Sequence, residues 1–176
     1  MEKTTADHGF VAVNVAVVTV SDTRNEETDS SGRLLVERIQ DAGHHLAEKR
    51  IVTDDPEAIR IVLMGWCQQP NIDVVISTGG TGITGRDSTP DVAAELFSKA
   101  IPGFGELFRM LSYEEIGSST IQSRAVGGLA GTTLLFTLPG STGACRLAWD
   151  KILVNQLDIR HKPCNLVELM PRFSET

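Results

Sequence analysis

Residues 10–20 read FVAVNVAVVTV, an almost unbroken apolar run rich in β-branched side chains. A strand with one wet face alternates polar and apolar residues. A run without that alternation belongs to a strand covered on both faces, which is the habit of parallel sheets packed between helices. The rest of the chain supplies the covers. Asp29, Ser30 and Ser31 are cap candidates for a helix to about residue 42, with Leu35, Ile39 and Ala42 at helical spacing and Gly43 as its stop. Residues 45–52 form a weaker second strand. Asp54-Asp55-Pro56-Glu57 opens a helix in which Ile59, Val62, Leu63 and Trp66 make one apolar face.

A short buried strand over 73–77 runs into Thr78-Gly79-Gly80-Thr81-Gly82. Ser88-Thr89-Pro90-Asp91 starts a third helix, carrying Ala93, Leu96, Phe97 and Ala100. Gly103 precedes an amphipathic stripe of Phe104, Leu107, Phe108 and Leu111. Residues 132–138, TTLLFTL, read as a strand ending at Pro139-Gly140. Ser141 or Thr142 then caps a helix with Cys145, Ala148, Trp149 and Ile152 on one face. Strands alternating with amphipathic helices predict an α/β fold: a three-layer αβα sandwich around a mostly parallel sheet. The 176 residues suit a single domain, over 10–160, with a flexible N-terminal arm at 1–9 and a mobile C-terminal tail at 161–176.

Charge narrows the partners. Sixteen Lys and Arg against 23 Asp and Glu leave a net charge of −7. A nucleic-acid or anionic-membrane surface needs a basic excess, so neither is expected, and an anionic substrate must be held by local groups. Cys67, Cys145 and Cys164 are odd in number and widely spaced, neither a zinc pattern nor a disulfide framework. With no apolar leader in residues 1–9 and no membrane-length apolar run, the expectation is a cytoplasmic protein with reduced thiols. His8, His44, His45 and His161 lack metal-ligand spacing and read as surface residues.

In open α/β sheets, ligands bind beyond the carboxyl ends of the strands. Here those ends read Ser21-Asp22, Thr53-Asp54, Ser77-Thr78-Gly79-Gly80 and Leu138-Pro139-Gly140. Four glycines, Gly79, Gly80, Gly82 and Gly85, fall within seven positions after a strand. Such a loop lets backbone N–H groups close on phosphate oxygens, with the Ser77, Thr78 and Thr81 hydroxyls as further donors. The alternative is a βα loop whose glycines only satisfy turn geometry. Gly80 to Gly85 spells G-x-G-x-x-G, but Arg86-Asp87-Ser88-Thr89-Pro90 separates it from the next helix. That break disfavours a dinucleotide-binding oxidoreductase, and the missing Lys-Ser/Thr excludes a P-loop. Asp87 can cap a helix or bind Mg²⁺. Asp54 can open a capping box with Glu57 or bind the same ion, which takes one or two carboxylates plus substrate phosphates. Arg24, Arg86, Arg109 and Arg124 are candidate phosphate forks.

Six motifs then occur in order: Thr19-Val20-Ser21-Asp22-Thr23-Arg24, Ser77-Thr78-Gly79-Gly80-Thr81-Gly82, Arg86-Asp87-Ser88-Thr89-Pro90, Pro102-Gly103-Phe104-Gly105-Glu106, Ser123-Arg124-Ala125 and Leu138-Pro139-Gly140. Together they resemble the MoaB/MogA molybdopterin-binding family of molybdenum cofactor biosynthesis, over about residues 10–160. Leu111 to Gly117 and Pro139-Gly140-Ser141-Thr142 resemble its MoaB branch. The resemblance implies a trimer or a dimer of trimers. It implies adenylylation of molybdopterin by Mg²⁺·ATP, giving adenylyl-molybdopterin and pyrophosphate. The family's two functional aspartates map onto Asp54 and Asp87 as metal-holding catalytic residues, with Asp55 able to exchange roles with Asp54. Ser21, Asp22, Ser77, Thr78, Gly79, Gly80, Thr81, Gly82, Ser123, Arg124, Pro139, Gly140 and Ser141 become substrate contacts. Other cofactor-biosynthesis proteins are the implied partners, and a non-catalytic molybdopterin-binding protein is the alternative.

Overall fold

The computed structural model describes residues 9–175. Residues 1–8 of the N-terminal arm, with His8, lie outside the described residues. Six strands form one sheet in the order β2-β1-β3-β6-β5-β4. β1 (Asn14–Val20), β2 (His45–Val52), β3 (Val74–Thr78) and β6 (Thr133–Leu138) are parallel. β5 (Val126–Ala130) runs antiparallel to β6, and the two-residue β4 (Lys99–Ala100) antiparallel to β5.

The unbroken apolar run of β1 is used as its pattern predicts. Val15 and Val17 face a layer built from α1 (Ser30–Asp41), α4 (Pro102–Ile116) and α5 (Thr142–Ala148), meeting Leu35, Ile39, Phe108 and Trp149. Ala16, Val18 and Val20 face α2 (Pro56–Cys67) and α3 (Thr89–Leu96), meeting Ile59, Leu63, Trp66 and Val92. This is the three-layer sandwich. β1 is shorter than the run because β2, its partner, begins only at His45. Upstream, Val13 N–H is bonded to the His44 ring rather than to a strand.

Two elements escaped the pattern. β4 is too short to carry one. In β5 the sequence Val-Gly-Gly-Leu-Ala reads as a loop, yet Gly127 and Gly128 are glycines for space. A Cβ on Gly127 would sit 2.7 Å from the Phe136 ring, and one on Gly128 2.4 Å from the Phe97 ring.

The caps divide differently from the expectation. Asp29 accepts a hydrogen bond from Gly32 N–H and caps α1. Asp55, not Asp54, caps α2 through Ala58 N–H at 2.9 Å. Ser141 caps α5 through Ala144 N–H. The C-terminal tail, expected to be mobile, is docked. Val167 is buried, Phe173 and Met170 pack on the core, and Asn165 ties its side chain to Ile159 O, His161 O and Glu168 N–H. No helix among the described residues is long and apolar enough to cross a membrane.

His44 corrects the surface assignment of the histidines. It is 4% exposed, and its Nδ1 accepts Val13 N–H at 3.2 Å, so that nitrogen carries no proton. It lies against Phe10 and edge-on to Trp149. Burial lowers its pKa, opposed by Asp158 and reinforced by His45. An unfolded histidine titrates near about 6.5. The unfolded chain therefore takes up this proton first as pH falls. The stability conferred by neutral His44 is complete above that pH and is lost below it, at up to about 1.4 kcal/mol per pH unit. Denaturant midpoints at pH 7.5 and 5.5 should show this decline, and His44→Gln should flatten it; an unchanged slope in the variant would assign it to other groups.

Candidate functional site

The sheet changes direction of growth between β1 and β3, and there the loops after β1, β3 and β6 meet. Gly79, at φ +103°, donates its N–H to Leu138 O at 3.0 Å. A Cβ at this position would lie 2.2 Å from Val20 O, so only glycine lets the β3 loop press on the end of β1. Gly80, at φ +63°, turns the chain toward α3, whose first residue Thr89 donates its N–H to Gly80 O. Gly140, after β6, closes on Gly79 from the other side.

Above these loops opens a cavity of about 640 Å³. Its floor includes Ser21, Arg24, Gly79, Gly80, Thr81, Gly82, Pro139, Gly140 and Ser141. Asp87 and Ser123 stand at its wall. Most of the substrate contacts expected from the sequence thus converge on one space. Arg24 also builds the floor: it donates to Gly140 O at 2.9 Å and to Ser31 Oγ at 2.5 Å.

Several expected residues are placed elsewhere. Ser77 and Thr78 are buried inside β3 and do not line the cavity. Thr78 Oγ1 donates to Pro139 O, fixing the β6 loop from below. Asp22 stands outside, accepting Asp54 N–H and pairing with Arg86. Arg109 is committed to Ser123 O and Ala125 O, which removes it from the candidate phosphate forks. Arg124 is likewise engaged by the protein and absent from the cavity lining.

The cavity's opposite wall was not foreseen. Phe108, Ser112 and Ile116 of α4, with Ser119 and Gln122 of the following 3-10 turn (Gly117–Gln122), close it. The signal was present: positions 108, 112 and 116 repeat every four residues, a second line along a helix whose apolar stripe drew attention first.

The two aspartates differ sharply. Asp87 does not cap α3; its Oδ2 accepts Thr84 N–H at 2.9 Å and Thr84 Oγ1 at 2.5 Å. The Thr84 hydroxyl holds its pKa below the usual carboxylate range against a burial penalty, aided by the Thr84 and Gly82 N–H groups and Arg124. Asp54 sits behind Gly80, with Oδ1 buried and, among the described residues, without a hydrogen-bond partner. Burial foremost, then the Asp87 and Asp22 carboxylates, raise its pKa, with Arg86 opposing. An orphaned carboxylate oxygen beside a second anion is a place where a cation lowers the energy. No group of three or more metal-ligating side chains exists among the described residues. Any ion here needs oxygens from a ligand, which suits Mg²⁺ shared with phosphates.

Comparison with known proteins places the chain in a family. The family described as "Probable molybdopterin binding domain" matches residues 16–159. Molybdenum cofactor biosynthesis protein B of Escherichia coli K12 is 50% identical over 156 residues, covering 89% of this chain and 92% of that protein. The Bacillus subtilis protein of the same name is 47% identical over 146 residues, covering 82% and 86%. A crystal structure of a molybdenum cofactor biosynthesis protein B superposes with a TM-score of 0.86 at 42% identity, covering 96% of this chain and all of that one. The tungsten cofactor synthesizing protein MoaB of Pyrococcus furiosus gives 0.76 at 34% identity, covering 93% and 98%.

The loop geometry separates two glycines by experiment. Gly79→Ala drives a Cβ into backbone and should destabilise the fold by at least about 3 kcal/mol. Gly82, with no positive φ, would place a Cβ 2.7 Å from Asp87 Oδ2. Gly82→Ala should therefore keep its thermal midpoint while losing phosphate-ligand affinity, and equal unfolding by both variants would deny the loop this division.

Proposed function

The chain belongs to the molybdopterin-binding domain family of molybdenum cofactor biosynthesis, and we propose that its own step is the adenylylation of molybdopterin by ATP. The observation that carries this reading is the placement of Asp54 and Asp87 about the glycine loop: one carboxylate hydrogen-bonded and held anionic, the other with a buried oxygen that has no hydrogen-bond partner among the described residues. A protein that only cradled a phosphate would gain nothing from two carboxylates, which repel the ligand.

In the proposed reaction a terminal phosphate oxygen of molybdopterin attacks the α-phosphorus of ATP. The bond from that phosphorus to the bridging oxygen breaks, and pyrophosphate leaves with its electron pair. Such transfer needs positioning and charge neutralisation more than a protein nucleophile. The Gly79–Gly82 backbone binds phosphate oxygens at the cavity floor. The wall of Phe108, Ser112 and Ile116 offers an apolar surface with a hydroxyl between, suited to a flat heterocycle. Asp54 and Asp87 would hold Mg²⁺, which when bound offsets the charge gathered by the phosphates. The alternative, molybdopterin binding without transfer, has one observation in its favour: Asp54 lies behind Gly80 rather than on the cavity wall.

Assembly belongs to the same proposal. Phe104 and Phe108 of the α4 stripe turn into the protein's own core. Leu107, Met110 and Tyr113 stay exposed along the outer side of that helix. We assign this strip to contact with further copies, in the trimer or dimer of trimers that the family resemblance implies. Light scattering at micromolar concentration should give a multiple of three, and a monomer would remove the assignment.

Purified protein with molybdopterin, ATP and Mg²⁺ should release pyrophosphate. In Asp87→Asn the fold should persist, since the amide oxygen can still accept from Thr84 and α3 does not depend on residue 87 as its cap. Turnover should fall by about a hundredfold or more, the scale of a lost preorganised electrostatic contact, while molybdopterin binding remains. Near-normal turnover in this variant would reduce Asp87 to a loop-closing residue, and no turnover in the parent protein would favour binding alone.

A further inference from the structure

Arg124 has the residue type of a phosphate fork, but its hydrogen bonds are made to the protein and it is absent from the cavity lining. Its backbone N–H donates to Thr81 O at 3.0 Å. Nε donates to Gly82 O at 2.7 Å, one terminal nitrogen reaches both carboxylate oxygens of Asp91 at 2.9 Å, and the other donates to Asp87 O. All three guanidinium nitrogens are engaged by the protein, and the charge is already matched by an anion.

We infer that Arg124 is a positioning residue: with Asp91 as counter-charge, it clamps both ends of the 82–87 loop and so holds Asp87 in place. The loop leaves the floor at Gly82 and returns at Asp87, and Arg124 ties the carbonyls of both to one rigid plane. That plane is set by the start of β5 on one side and by the first turn of α3, through Asp91, on the other. The Asp87 carboxylate is held separately by Thr84, so the residue is fixed at main chain and side chain alike. Lysine cannot substitute, because a single ammonium cannot span two carbonyls and a carboxylate in this fork geometry. The consequence for turnover rests on the proposed adenylylation; the clamp itself does not.

The two roles open to Arg124 predict opposite signs. If Arg124 gripped a ligand phosphate, removing the Asp91 charge would free the guanidinium, and Asp91→Asn would bind an anion more tightly. If it is a clamp, Asp91→Asn loosens the loop and binding weakens. The probes are inorganic pyrophosphate with Mg²⁺, titrated by calorimetry, and amide hydrogen exchange across residues 82–87, on the full chain. We expect Asp91→Asn and Arg124→Lys each to weaken pyrophosphate binding and to speed loop exchange by roughly tenfold, the worth of a charge-assisted hydrogen bond. Asp91→Glu, which keeps the charge, should restore both. Tighter binding in Asp91→Asn, or unchanged loop exchange in either variant, would overturn the clamp. Failure of the parent protein to bind pyrophosphate would sink the proposed function, and the exchange comparison would still decide the clamp.

Discussion

The site depends on one close approach: the chain leaving β3 lies directly on the carbonyl that ends β1. Gly79 makes this contact with Val20 O, and a methyl group would already prevent it. From it follow the Gly79 N–H bond to Leu138 O, the seating of Gly140, and the turn at Gly80 that delivers Thr89 to the start of α3. Three parallel strands can end level with one another without making a site. Here their loops are drawn within van der Waals reach, so backbone at Gly79, Gly80, Gly82 and Gly140 forms much of the floor.

What was legible in the residues follows the same logic. Buried parallel strands announce themselves because both faces must be apolar, so β1, β3 and β6 were visible within a few residues. β5 was not, because its stabilising contacts are made by its neighbours: Phe136 and Phe97 fill the space that Gly127 and Gly128 leave. A strand recognised by what it lacks has no local signature. The site divides likewise. The glycine loop and the loop after β6 were readable, since turn chemistry is local. The partners of Arg124, expected as a substrate contact, and Arg109, a candidate phosphate fork, were not readable, because an arginine's partners are set by tertiary placement: carbonyls at Gly82, Asp87 and Ala125 engage them. The α4 wall was hidden behind a stronger apolar stripe on the same helix.

Asp54 and Asp55 show how two adjacent carboxylates take different places in the fold. Either could have capped α2 from sequence alone. Asp55 takes the cap, and that releases its neighbour to turn toward Gly80. Asp29 supplies the contrast. It is fully buried, yet its two oxygens receive Thr19 Oγ1 and Gly32 N–H, with Lys49 at 3.1 Å to match the charge. Nothing is left for it to bind, and its role is to join β1, α1 and β2. Asp54 has a buried oxygen with no such company, while its nearest charged neighbours include two further carboxylates. Folding rarely leaves a buried acceptor unpaired, since the desolvation cost is about 1–3 kcal/mol and more for a charge. Under the proposed adenylylation, the partner of Asp54 Oδ1 would be the cation that accompanies the ligand. The same acidic chain thus uses satisfied carboxylates such as Asp29 to hold its fold, and leaves Asp54 Oδ1 without a partner among the described residues.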